Sequence, residues 1–298
     1  MSNILSRFIE LVKLCVDDKS YNDFDTSRGT RTYYPNSYAG YAKSAFDAHI
    51  NDGWGDSKEL EKPKRGEHLS FCSVASSARL CFLDFYEKQR IGHLKLETPM
   101  PNDFCPQFPT KMDAIVLDIC YECKCQEVVD GEKELLSISY QASKESILFK
   151  EFHIKDDGEY EIIKRKTKDE ETGEYKEKDF LDFSCKDLNI DIDKQYYQLH
   201  INLKQMICHL IAMANSKLEH KPSVLQYVIY IPQLKLIDEN KEIKQVYKEL
   251  IDEFEKILDP QTKIQKFASL HGITIKEPVY KTVEDFNQVF DFKNIVMK

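Results

Sequence analysis

The sequence lacks any long hydrophobic run. No stretch of the 298 residues approaches the roughly 20 consecutive apolar residues that cross a membrane as a helix. The N-terminal residues 1–18 have an apolar face, but Arg7, Glu10 and Lys13 interrupt it, which is typical of an amphipathic helix and not of a signal peptide. We therefore expect a soluble protein without membrane contact.

Positive charge is also in short supply. The chain has 42 Lys and Arg against 51 Asp and Glu, a formal net charge of -9. This balance argues against a general nucleic-acid coat protein, because neutralising phosphates requires an excess of Lys and Arg. It leaves room for a local basic face, and two clusters of basic residues are candidates, although each also fits an ordinary solvated loop: Lys62, Lys64 and Arg65, and Lys164, Arg165, Lys166 and Lys168.

Several motifs are missing. The serine-hydrolase, Walker-type and dinucleotide-binding glycine patterns are absent, as are internal repeats. The nine cysteines are odd in number and lie mostly in apolar segments, so we expect reduced thiols and a cytoplasmic location. Zinc binding by Cys120, Cys123 and Cys125 is disfavoured, because a fourth ligand is missing and strand alternation separates Cys120 from the other two.

The elements that are present alternate between helix and strand. The 3.6-residue period predicts helices over 70–88, 195–215 and 242–257. Strands are predicted at 93–97, 112–118, 119–128 and in the apolar run LQYVIYIP that begins at Leu225. The pattern indicates an α/β fold. We expect an N-terminal helical and loop region (1–53), a core (54–232) with inserted β-hairpins (133–190), and a helical C-terminal extension packed on the core (233–298).

The two central strands carry three charged residues that are candidates for one site. Asp113 lies on the first strand, and Glu122 and Lys124 lie two residues apart on the second. Alternation places Glu122, Lys124 and Gln126 on one, solvent-reaching face. Two carboxylates can hold Mg²⁺, and a nearby lysine can orient or deprotonate the water that attacks a phosphodiester. A plain surface ion pair on a half-exposed strand is the alternative.

These residues resemble a known superfamily. MDAIVLD with YECK, together with KELE (58–61), SVASSARLCFLDF (73–85) and KQMICHLIAMAN (204–215), resembles the PD-(D/E)XK phosphodiesterases, in particular bacterial restriction-endonuclease-like proteins. The resemblance covers about residues 54–232 without the inserted hairpins. It implies a restriction-endonuclease-like core of order αβββαβ, a mixed central sheet flanked by helices.

The resemblance also implies roles for single residues. Asp113 and Glu122 would bind the metal, Lys124 would be the catalytic lysine, and Gln205 would match a polar residue on the helix behind the site. A further glutamate near the first core helix would assist the metal, with Glu59 as the first candidate and Glu67 as the second.

The implied activity is Mg²⁺-dependent hydrolysis of DNA, with Mn²⁺ as a substitute ion. DNA is the expected partner, and a homodimer is one allowed assembly. The alternative function is a catalytically inactive module with the nuclease fold, which binds nucleic acid or regulates another protein. The histidines His68, His93 and His209 lack a nucleophile partner, and His209 is expected to be structural or to contact phosphate.

Overall fold

A mixed β-sheet forms the centre of the protein in the computed structural model. The model describes residues 3–15, 42, 71, 73, 75–88, 94–100, 110–129, 133, 135–136, 152, 161–168, 175–286 and 289. The strands that build the sheet are β1 (Leu94–Met100), β2 (Thr110–Val116), β3 (Ile119–Lys124), β6 (Val224–Ile231), β7 (Thr274–Ile275) and β8 (Val279–Thr282). β2 pairs antiparallel with both β1 and β3, whereas β3 pairs in parallel with β6, and β6 pairs in parallel with both β7 and β8.

Helices cover both faces of this sheet. They are α1 (Asn3–Cys15), α2 (Ser77–Cys81), which continues as the π-helix Phe82–Lys88, α3 (Leu203–Ala214), α4 (Leu234–Asp238), α5 (Lys241–Ile257) and α6 (Lys263–Leu270). α2 packs on β2 and β3, α3 packs on β2, and α1 packs on α5. The expected α/β class, with a mixed central sheet flanked by helices, is thus confirmed. None of the helices among the described residues is long and apolar enough to cross a membrane.

Two predicted helices begin later than their periodicity indicated. α2 begins after Ser76, whose hydroxyl accepts a hydrogen bond from the Arg79 amide. α3 begins after Asn202, whose side chain accepts from the Gln205 amide. Ser and Asn are favoured at the residue before a helix because their oxygen atoms satisfy an otherwise free amide. The segment 195–202, which we predicted to be helical, instead contains a short 3₁₀ turn, Tyr196–Gln198, followed by bends at 199–201.

The inserted region contains one described hairpin, formed by β4 (Glu161–Lys168) and β5 (Tyr175–Asp182). The other strands predicted between 133 and 160 lie outside the described residues, apart from a few single positions. The C-terminal region is helical in α4 to α6, as predicted, but β7 and β8 also add two strands to the central sheet. Strands this short carry little periodicity, so the prediction of a purely helical extension was incomplete.

Candidate functional site

The hairpin of β2 and β3 places Asp113 and Glu122 side by side. Val116 pairs with Ile119 and Ala114 pairs with Tyr121, and the same antiparallel register continued by one step sets Asp113 opposite Glu122. Residues directly opposite each other project from the same face of a sheet. Asp113 also accepts a hydrogen bond through Oδ2 from the Cys123 amide at 2.7 Å, which holds its carboxylate over β3.

Glu122 and Lys124 form an ion pair on this face. The Glu122 side chain is completely buried and 13% of the Lys124 side chain is exposed. Burial raises the pKa of Glu122, and the Lys124 charge opposes that shift. Burial lowers the pKa of Lys124, but the negative charges of Glu122 and Asp113 outweigh burial and leave it above its ordinary value, so this side chain is an ammonium at neutral pH. The prediction of a solvent-reaching face was wrong, because the sheet is covered at this point.

The environment of Asp113 favours the protonated acid. Desolvation, followed by the nearby charge of Glu122, raises the pKa of Asp113 to about 7 from its ordinary value of 3.8, and Lys124 and the Cys123 amide oppose the rise. Two carboxylates held this close compete for one cationic partner, and a divalent cation would relieve that repulsion.

Helix α3 covers the site and contributes His209. The Nε2 atom of His209 lies 3.5 Å from Oε2 of Glu122, and the ring is buried. Desolvation and the Lys124 charge lower the pKa of His209 to about 3, so the imidazole is neutral. Helix α3 thus presents a polar side chain, His209, to the site. Gln205, one helical turn earlier, is partly buried. Its backbone N–H donates a hydrogen bond to Oδ1 of Asn202, the residue before the helix.

Tyr227 is a site residue that the sequence reasoning missed. It lies on β6 in register with Glu122, and the charges of Glu122, Lys124 and Asp113 all act on its phenol. Burial raises the pKa of Tyr227, so the hydroxyl stays protonated. The available signal was a phenol in a mostly apolar strand, but only the register of β3 with β6 assigns it to this site.

Three polar atoms of this face are buried without a hydrogen-bond partner in the described part of the chain. They are Oε2 of Glu122, Nδ1 of His209 and the Tyr227 hydroxyl. A buried polar atom without a partner costs about 1–3 kcal/mol, so their coincidence around two carboxylates is unusual unless another group completes the site.

The residue set fits Mg²⁺ in its chemistry. Mg²⁺ is commonly held by one or two carboxylates, while waters and substrate phosphates complete its coordination, and Asp113 and Glu122 supply two. Among the described residues no group of three or more His, Cys, Asp or Glu side chains is arranged to hold a metal ion. The predicted third acid, Glu59, and its alternative, Glu67, lie outside the described residues.

Two further sequence-based expectations concern Gln126 and three cysteines near the site. Gln126 does not share the face of Glu122 and Lys124, because β3 ends at Lys124 and a 3₁₀ turn begins at Gln126. The cysteines Cys120, Cys123 and Cys125 are buried free thiols. Burial raises the pKa of each of them, which favours the thiol over the thiolate that binds zinc.

The opposite face of β3 carries a second polar network. The Tyr230 hydroxyl donates to Oδ2 of Asp84 at 3.0 Å and lies 3.7 Å from the Cys123 Sγ. Lys281 donates to both Asp84 oxygens at 2.8 and 2.9 Å, and this ion pair is buried. The network ties the π-helix, β6 and β8 to the strand that carries the site.

Comparison with protein-family models, with curated proteins and with solved structures gives no significant match.

Proposed function

We propose that this protein is a Mg²⁺-dependent phosphodiesterase that cleaves DNA, with a core of the restriction-endonuclease type. The observation that carries the proposal is the convergence of Asp113, Glu122 and Lys124 on one covered face of the sheet. The order of elements around them supports the core type: α2, then β1 to β3, then α3 and β6.

Asp113 and Glu122 would hold the metal ion through their carboxylate oxygens. A bound Mg²⁺ polarises the scissile phosphate and lowers the pKa of a coordinated water. Lys124 has a raised pKa in this site, so its role in the proposal is that of a fixed cation that orients the phosphate and offsets its developing charge, and not that of a general base.

His209 and Tyr227 line the same face. A neutral imidazole can accept a proton or a hydrogen bond, and the Tyr227 hydroxyl is a protonated donor. Both can therefore orient a water or a phosphate oxygen that enters the site, which would satisfy the polar atoms that have no partner within the described residues.

Incubation of supercoiled, linear duplex and single-stranded DNA with Mg²⁺ or Mn²⁺ tests the activity. We expect cleavage by the natural chain and none by Asp113→Asn. The matched control is Asp118→Asn, the same substitution at an exposed turn residue whose carboxylate bonds Ser223. Equal cleavage by the natural chain and Asp113→Asn would refute the proposed site.

A variant of Lys124 alone can lose activity because the protein unfolds. Removing Lys124 leaves Glu122 buried without its ion-pair partner, which costs about 3–5 kcal/mol and can unfold the chain. The double variant Glu122→Gln with Lys124→Met removes both charges, so loss of cleavage by a folded double variant supports the proposal. DNA binding without cleavage in either metal ion would instead favour the inactive binding module.

A further inference from the structure

The β4–β5 hairpin pairs its charges differently on its two faces. Antiparallel register pairs Lys164 with Asp179 and Lys166 with Glu177, and paired residues project from the same face. The Lys164 Nζ also lies 4.0 Å from a Glu177 oxygen. On this face, which we call the compensated face, each of the two lysines therefore stands opposite an acid.

On the other face, the part away from the core has no acid opposite its cations, and we call this part the basic face. Arg165 stands opposite Lys178, and Thr167 stands opposite Lys176, whereas the two acids of this face, Glu161 and Asp182, stand opposite each other two pairs closer to the core. Arg165, Lys176 and Lys178 are all exposed. Like charges directly opposite each other destabilise a hairpin. The folding of the hairpin therefore does not account for this arrangement, whereas contact with an anionic partner would offset the repulsion.

An aromatic ring lies under the basic face. The Arg165 guanidinium lies 5.8 Å from the centroid of the Tyr197 ring, within cation–π distance. Tyr197 is partly buried and packs against the core. The contact limits the orientations of the guanidinium, whose planar donors can meet an anion in a bidentate manner.

The base of the hairpin is fixed to the core. The Tyr196 hydroxyl donates to the Leu181 carbonyl at 3.0 Å and accepts from the Leu136 amide at 2.7 Å. The Tyr196 ring also stacks on Phe183 at 4.1 Å between centroids. The hairpin is thus held at its base by buried contacts, which gives its basic face a defined position on the protein.

We infer that the basic face of β4–β5, formed by Arg165, Lys176 and Lys178, binds the phosphate backbone of DNA. A chain of net charge -9 repels a polyanion at long range, so a contact must come from a local concentration of cations. The inference rests on the proposed function for its ligand, but binding can be measured apart from cleavage by omitting divalent cations.

The hairpin supplies its own matched control. Arg165→Gln with Lys178→Gln removes two positive charges from the basic face, and Lys164→Gln with Lys166→Gln removes two from the compensated face. Both pairs change the net charge equally and all four side chains are exposed. Circular dichroism and thermal unfolding establish that both variants are folded.

Fluorescence anisotropy with a labelled DNA duplex in EDTA, repeated over a series of salt concentrations, measures the effect. We expect the basic-face variant to bind at least about tenfold more weakly and to lose up to about 2 from the slope of log affinity against log salt, since each phosphate contact contributes roughly 0.9. The compensated-face variant should change affinity by less than about threefold.

Equal weakening by both variants would overturn the inference, since net charge alone would then account for binding. Undiminished binding by the basic-face variant would overturn it as well. If the natural chain shows no metal-dependent cleavage and only the basic-face variant loses binding, the proposed hydrolysis is refuted and the DNA-binding surface is supported. If the natural chain cleaves DNA and both variants bind as before, the DNA-binding surface is refuted and the proposed hydrolysis is supported.

Discussion

Asp113→Asn should stabilise the metal-free protein while removing its activity. The substitution keeps a carbonyl oxygen that can accept the hydrogen bond from the Cys123 amide, and it removes a negative charge that lies beside Glu122. Residues selected for metal binding often destabilise the empty site, so their removal commonly raises stability. This outcome would separate loss of activity from loss of fold.

The magnitude follows from the pKa of Asp113, which rises from 3.8 to about 7 on folding. A folded-state pKa above the unfolded value means that the acid favours folding when protonated and that this contribution is lost as pH rises from 3.8 to about 7. Three pKa units correspond to about 4 kcal/mol as an upper limit. Because Asp113 is partly exposed, solvent screening reduces this to roughly 2 kcal/mol at pH 8, and to less at pH 5.

Urea unfolding of both proteins in EDTA at pH 5 and pH 8 measures the difference in unfolding free energy. The pKa of His209 is lowered to about 3, so its contribution changes with pH in the opposite sense and increases between pH 3 and 6.5. Subtracting one protein from the other removes most of that contribution. An Asp113→Asn protein that is less stable at pH 8, or whose advantage is the same at both pH values, would refute the reasoning.

Three further outcomes are expected. Mg²⁺ affinity measured by calorimetry should fall about tenfold per pH unit below pH 7, because Asp113 must lose its proton to bind the ion, and a flat profile would contradict this. Lys281→Met should lower the unfolding free energy by about 3–5 kcal/mol because Asp84 remains buried and charged, whereas adding Asp84→Asn should restore most of it; equal losses in urea unfolding would argue against the ion pair. Tyr227→Phe should leave stability unchanged or raise it by about 1 kcal/mol, since the lost hydroxyl has no partner within the described residues, and a marked decrease would disprove that.

The strands of the site could be predicted because each is a local pattern. β6 is a mostly apolar run of the length that a covered strand needs, and it begins within one residue of its predicted start. β3 begins at Ile119 as predicted, but it ends at Lys124, four residues before the predicted end. Helix α5, with apolar residues at helical spacing, begins within one residue of the predicted start. The adjacency of Asp113 and Glu122 was also within reach, because a two-residue turn at Leu117 and Asp118 fixes the register of a hairpin.

What could not be predicted depends on contacts between distant segments. Nothing near Tyr227 indicates that β6 pairs in parallel with β3 and brings the phenol beside Glu122, because that register is set by packing of the whole sheet. The ion pair of Lys281 with Asp84 joins residues that are 197 positions apart in the sequence. β8, which carries Lys281, has only four residues, too few to show the alternation that predicts a strand. The burial of Glu122 follows from the placement of α3, which local propensity does not determine.

The two faces of β3 suggest why the charges of the site can be held in place. Glu122 and Lys124 project towards α3, while Cys123, between them, projects towards Tyr230 and the Asp84–Lys281 pair. A shift of β3 by one residue would exchange its two faces, so a strand whose two faces have different partners resists the shift. Here a shift by one residue would bury a thiol among carboxylates and drive Glu122 towards Asp84. Polar partners on both faces therefore make the register of β3 specific, and with it the spacing of the groups that would hold a metal ion.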